Sequence, residues 1–111
     1  MPARSVRSRV AAGAGNLPGA TLIRRLLRVS DPHGLHARPA ALIARAAKQF
    51  EAEIILQRGD AAASGKSLIE LMTLCAGPGE LVTIVAEGAD AGQSMLVLED
   101  LFQRHAFMTS A

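Results

Sequence analysis

The chain has no tryptophan and no tyrosine, and its aromatic side chains are Phe50, Phe102 and Phe107 alone. Its core must therefore be aliphatic. Binders of single-stranded nucleic acid interleave basic residues with aromatic stacking platforms, and that pattern is missing, so no nucleic-acid partner is expected. A single cysteine, Cys75, excludes an internal disulfide. The expected setting is reducing and cytoplasmic. Three scattered histidines and that cysteine present no metal-ligand spacing, so no metal and no cofactor are expected. No apolar run approaches the roughly 20 residues that a bilayer span needs, which predicts a soluble protein without a membrane partner.

Acid is missing from the first 30 positions, which hold Arg4, Arg7, Arg9, Arg24, Arg25 and Arg28. The rest of the chain carries six basic against ten acidic side chains, so the net charge of +2 hides a mildly acidic body behind a basic start. Residues 1–20, rich in Ala, Gly, Ser and Arg and without apolar periodicity, read as a disordered basic extension. An Arg-rich, acid-free start also has the composition of a transit peptide, though it lacks the apolar segment of a secretory signal. Residues 21–111 read as one domain, since half of the 111 residues are apolar and suffice for a modest core.

Within that domain, Leu22 to Val29 has the character of a strand, with Ile23, Leu27 and Val29 on one face. A helical stripe of Ala40, Ile43, Ala44, Ala47 and Phe50 predicts a helix from Ala37 to Phe50. Glu53 to Arg58 alternates weakly and ends at the turn signal Gly59-Asp60. Ser67 to Cys75 reads as a short helix, stopped by Gly77-Pro78-Gly79. Ser67-Leu68-Ile69-Glu70 fits a capping box, in which the serine hydroxyl and the glutamate satisfy each other's backbone donors. Glu80 to Ala86 is a further strand, and a last helix runs from Asp90, a candidate cap, to His105.

The chemistry gathers at Pro32-His33-Gly34-Leu35-His36-Ala37-Arg38-Pro39-Ala40. Pro39 fits the first turn of a helix, where its missing N–H costs nothing. His36 then lies at a helix N-terminus, where free backbone N–H groups and the dipole favour anions and a neutral, nucleophilic imidazole. Arg38 adds a planar cationic fork suited to phosphate or carboxylate oxygens. This pattern suggests phosphoryl transfer through a phosphohistidine; the spacing alone also fits an ordinary histidine at a helix start.

Gly34-Leu35-His36-Ala37-Arg38-Pro39-Ala40 resembles the active-centre motif of the HPr family, histidine-containing phosphocarriers of the bacterial phosphotransferase system. The likeness continues through Lys66-Ser67-Leu68-Ile69-Glu70-Leu71-Met72-Thr73-Leu74, Gly79 and Ala86-Glu87-Gly88, over roughly residues 22–107. It implies an α+β open-faced sandwich, a four-stranded antiparallel sheet with three helices on one face, and a return strand at Ala61 to Ser64. It further implies a stoichiometric phosphoryl carrier, not an enzyme, with His36 as the phosphorylated residue and Arg38 stabilising the phosphoryl group. Enzyme I and enzyme IIA domains would be its partners, in either sugar uptake or the nitrogen-related regulatory branch. Docking would use Leu68, Ile69 and Met72, rimmed by Arg38, Arg45 and Lys48. Ser67 corresponds to the serine that an HPr kinase/phosphorylase modifies in many relatives. The alternative is a regulatory binding module that carries no phosphate, whose relatives lack the histidine. His33 is expected on the surface, Cys75 in packing, and His105 as a partner of its helix dipole.

Overall fold

The computed structural model describes residues 21–111. The expected basic extension at 1–20 lies outside the described residues. Five strands and three helices follow in the order β1 (Leu22–Val29), α1 (Ala37–Ala47), β2 (Glu53–Arg58), β3 (Ala61–Ser64), α2 (Leu68–Thr73), β4 (Leu81–Glu87), α3 (Ala91–His105) and β5 (Met108–Ser110). The strands form one antiparallel sheet in the order β3-β2-β4-β1-β5. Among the described residues, no helix is long and apolar enough to cross a membrane.

Alternation along the strands sends one set of side chains toward the helices. Leu27, Val29, Ile54, Leu56, Ala63, Val82, Ile84 and Ala86 join Ala40, Ile43, Ala44 and Ala47 of α1, Leu71 of α2, and Met95, Leu98 and Phe102 of α3 in one buried cluster. The weak alternation of β2 has a cause on the far side of the sheet. There Ile55 is buried with Val85 and Ala62, and Leu22 packs against them. The β2–β3 hairpin closes over two residues, with Arg58 opposite Ala61, and Gly59 takes the positive φ such a turn demands. Register with β2 holds the alanine-rich β3 in place despite its low strand propensity.

Four expectations change. The sheet has five strands, not four. Ala106 adopts a left-handed conformation that ends α3, Phe107 becomes buried, and Met108, Thr109 and Ser110 pair with Val29, Arg28 and Leu27. Asp90 does not cap α3 with its side chain. Its carboxylate instead accepts from the backbone N–H groups of Glu51 (2.9 Å) and Ala52 (2.8 Å), joining the start of α3 to the entry of β2. Hydrogen bonding from the Glu51 amide, with smaller help from that of Ala52, holds the Asp90 carboxyl below its ordinary pKa. Only half of the capping box forms: Ser67 Oγ accepts from Glu70 N–H at 3.1 Å, whereas Glu70 Oε1 accepts from Ser64 N–H at 2.9 Å, tying α2 to the end of β3. Cys75 is exposed, not packed, and has φ of 54°. Its side of the α2 terminus is the left-handed position that helix ends usually give to glycine.

Candidate functional site

The loop from Ser30 to Leu35 carries the chain from β1 into α1, and it is held from two sides. Ser30 and Asp31 donate their N–H groups to the Phe107 carbonyl at 2.9 and 3.2 Å, so the turn before β5 anchors the loop. On the other side Leu35 N–H donates to Ala76 O at 2.8 Å. Gly34, with φ of 72°, passes so close to Ala76 that a Cβ would come within 2.6 Å of its carbonyl oxygen. A side chain there would push His36 away from the α2–β4 connection.

His36 is the N-cap residue of α1, with extended backbone and no side-chain cap hydrogen bond. Its carbonyl accepts from Ala40 N–H at 3.1 Å, so the helix begins while the imidazole stays free of capping. Ala37 and Arg38 open the first turn, where N–H groups have no intrahelical acceptor, and buried Pro39 contributes none. The first turn contains no acidic residue to occupy the positive end of the dipole. Arg38 is exposed on that turn.

A residue not singled out from the sequence faces the imidazole. Asp31 Oδ2 lies 3.6 Å from His36 Nε2, with side-chain exposures of 16% and 40%. The same carboxylate, through Oδ1, accepts from His33 N–H at 2.8 Å and lies 3.7 Å from His33 Nδ1. The two imidazoles meet edge-on, with centroids 5.7 Å apart and planes at 82°. His33 is on the surface as expected, its side chain 82% exposed. The two histidines are thus not scattered but joined through Asp31. The Asp-Pro turn signal at the strand exit was visible in the sequence; the direction of the carboxylate was not.

Beside this loop, α2 buries Leu71 and leaves Leu68 (38%), Ile69 (75%) and Met72 (44%) exposed. Leu68 lines a shallow groove with Ala41, Ala44, Arg45, Lys48 and Gln49 of α1 and its end. An apolar patch with a basic rim therefore lies between the two helices. Ser67 is half-buried at the start of α2. His105, in the last turn of α3, stacks on Phe107 with ring centroids 5.1 Å apart.

The fold and the loop define a small α+β domain that presents a histidine at an open helix start. A family model described as the phosphorylation site of the HPr component of the phosphotransferase system matches residues 23–104. The phosphocarrier protein HPr of Treponema pallidum is 38% identical over 82 residues, covering 74% of this chain and 93% of its own. That of Buchnera aphidicola subsp. Baizongia pistaciae is 39% identical over 80 residues, covering 72% and 91%. Among solved structures, an HPr from Bacillus anthracis str. Ames superposes with a TM-score of 0.65 at 35% identity, covering 70% of this chain and 93% of that one. A histidine-containing phosphocarrier protein of Mycoplasma reaches a TM-score of 0.74 at 27% identity, covering 81% and 100%. The chain belongs to the HPr family, the phosphocarriers of the phosphotransferase system.

Proposed function

We propose that the protein accepts a phosphoryl group on His36 Nδ1 from phosphorylated enzyme I and donates it to a histidine of an enzyme IIA domain. The observation that carries this reading is the position of His36, an N-cap residue whose imidazole makes no cap bond and whose Nε2 faces the Asp31 carboxylate. A carboxylate only accepts hydrogen bonds, so it favours the proton on Nε2 and leaves the lone pair on Nδ1. In the transfer that lone pair attacks phosphorus in line while the donor's P–N bond breaks and its electron pair returns to the donor nitrogen. The Ala37 and Arg38 N–H groups, the dipole of α1 and the Arg38 guanidinium meet the charge on the phosphoryl oxygens. Since donor and acceptor are both imidazoles, positioning and charge stabilisation suffice. The protein is a stoichiometric carrier, regenerated at each cycle.

Docking of both partners is assigned to Leu68, Ile69 and Met72, with Arg38, Arg45 and Lys48 at the rim. Three exposed large apolar side chains on so short a helix support that assignment. Ser67 is proposed as a regulatory phosphorylation site for an HPr kinase/phosphorylase, because a dianion there would sit both on a helix N-terminus and at the edge of the docking patch. The reading as a regulatory module without phosphate is disfavoured by the presence of both His36 and Arg38. Incubation with phosphoenolpyruvate, magnesium and the enzyme I of the same host is expected to give one acid-labile phosphate on His36, located by mass spectrometry. Phosphate on His33 or His105, or none at all, overturns the assignment.

A further inference from the structure

We infer that Asp31, His33 and His36 form a binding site for a zinc-type divalent cation, and that a cation bound there holds His36 in the tautomer that cannot attack phosphorus. The first half stands on the side chains alone; the second rests on the phosphocarrier reading.

One donor atom from each of the three residues can be chosen so that all lie within 4.8 Å of one another. Zinc bonded to nitrogen and oxygen at about 2.0–2.2 Å in a tetrahedron places its ligands roughly 3.3–3.6 Å apart. His36 Nε2 and His33 Nδ1 lie 3.6 and 3.7 Å from the Asp31 carboxylate, the first from Oδ2 and the second from Oδ1. Bringing both ring nitrogens onto one oxygen and toward each other takes a turn of the His33 ring, which its 82% exposure leaves free. The carboxylate is oriented in advance by the N–H of His33, the kind of outer contact that steadies a metal ligand. Two imidazoles and one carboxylate select zinc or its late first-row neighbours over magnesium or calcium, which prefer all-oxygen surroundings. Three protein ligands leave a fourth position open to water. The positive end of the α1 dipole opposes the cation, which makes the site exchangeable rather than structural.

Coordination through Nε2 has a chemical consequence for the carrier. A neutral imidazole has one N–H, so when Nε2 gives its lone pair to the metal the proton resides on Nδ1. That nitrogen then has no lone pair for phosphorus. The cation thereby inverts the arrangement that Asp31 favours when the site is empty.

Calorimetric titration of zinc chloride into the full chain, in a buffer that does not bind zinc, is expected to show one site. His33→Asn and Asp31→Asn should each weaken it at least tenfold, while His105→Asn leaves it unchanged. The side-chain nitrogen resonance of His36 Nε2 should move on zinc addition. Absence of binding up to millimolar zinc, or wild-type affinity in either loop variant, overturns the site. Because no enzyme I is present, these results do not depend on phosphoryl transfer. In a separate assay with enzyme I, zinc should slow phosphate acceptance by the wild type at least tenfold and leave His33→Asn unaffected. Equal slowing of both places the effect on enzyme I and overturns the inhibitory half.

Discussion

Helix α1 starts at the candidate site and α2 starts beside the far end of α1, where Lys66 Nζ donates to Phe50 O, and their first turns are built in opposite ways. The start of α2 is closed: Ser67 Oγ accepts from Glu70 N–H, and Glu70 is itself committed to the end of β3. The start of α1 is open, with a histidine as N-cap that makes no cap bond and no acid in the turn. A cap stabilises a helix by satisfying its first N–H groups, and the same satisfaction removes them as donors to a ligand. Stability and anion binding therefore compete for one set of donors, and the two helices have taken different sides. The closed helix is rigid support for an exposed apolar patch; the open one keeps its donors for a phosphoryl group.

The contrast breaks most sharply if the two cap residues are exchanged for alanine. His36→Ala should abolish phosphate acceptance, yet change stability by less than about 0.5 kcal/mol, because no cap bond is lost. Ser67→Ala should do the reverse, costing about 1 kcal/mol in a denaturant titration while acceptance continues. Loss of stability in the histidine variant would mean that α1 is capped through the imidazole after all. Next in size is Arg38→Ala, for which transfer should fall on the order of 10²-fold with an unchanged unfolding midpoint, as for removal of one charge-stabilising donor. Stopped-flow or quenched transfer from phosphorylated enzyme I measures it.

Ser67→Asp sharpens the comparison, since it keeps a cap and adds charge. Aspartate is as good an N-cap as serine and gains from the dipole, so stability should hold or rise. Transfer from enzyme I should nevertheless slow, by roughly tenfold, through the negative charge at the edge of the Leu68, Ile69 and Met72 patch. A wild-type rate in this variant would reduce Ser67 to a cap.

What the sequence made legible follows the range of the interactions involved. The end of β2 and the place of His36 at a helix start were readable because turn chemistry at Gly59-Asp60 and the proline at position 39 act over a few residues, whereas β3, low in strand propensity, came from the family resemblance. Ile69 lies off the stripe of Leu68, Leu71 and Met72, so helical geometry alone leaves it outward, and it is 75% exposed. Most of the losses are contacts that the local pattern does not contain. Glu70 and Ser67 have the spacing of a reciprocal pair, but the amide of Ser64 competes for the glutamate. β5 is three residues without alternation, and it is a strand only because β1 offers an edge. Asp31 gained its place beside two imidazoles through a loop pinned by Phe107 and Ala76, neither near it in the chain.

The C-terminal end of α2 offers a smaller test of how far that helix is optimised. Cys75 occupies a left-handed conformation, which costs a residue with a Cβ about 1–2 kcal/mol. Glycine relieves that strain and gives back part of it as unfolded-state entropy. Cys75→Gly should therefore raise stability by about 0.5–1 kcal/mol in a denaturant titration, without altering transfer.

The third helix start is neither open nor self-capped, and its contribution is present at neutral pH and lost in acid. Asp90 lends its carboxylate to the amides of Glu51 and Ala52, and those hydrogen bonds lower its pKa in the folded protein from the ordinary value of 3.8. A carboxyl that is more acidic when folded stabilises the fold above its unfolded pKa, and that contribution fades as pH falls through the folded value. Asparagine has no such titration and offers one acceptor oxygen in place of two. Asp90→Asn should thus be somewhat less stable than the wild type at pH 7, and the gap should narrow below about pH 4 as the aspartate takes up its proton. Urea midpoints for both proteins at pH 7 and pH 3 measure it. A gap that stays constant with pH would show that the carboxylate charge contributes nothing at this junction and that the aspartate acts there as a neutral acceptor would.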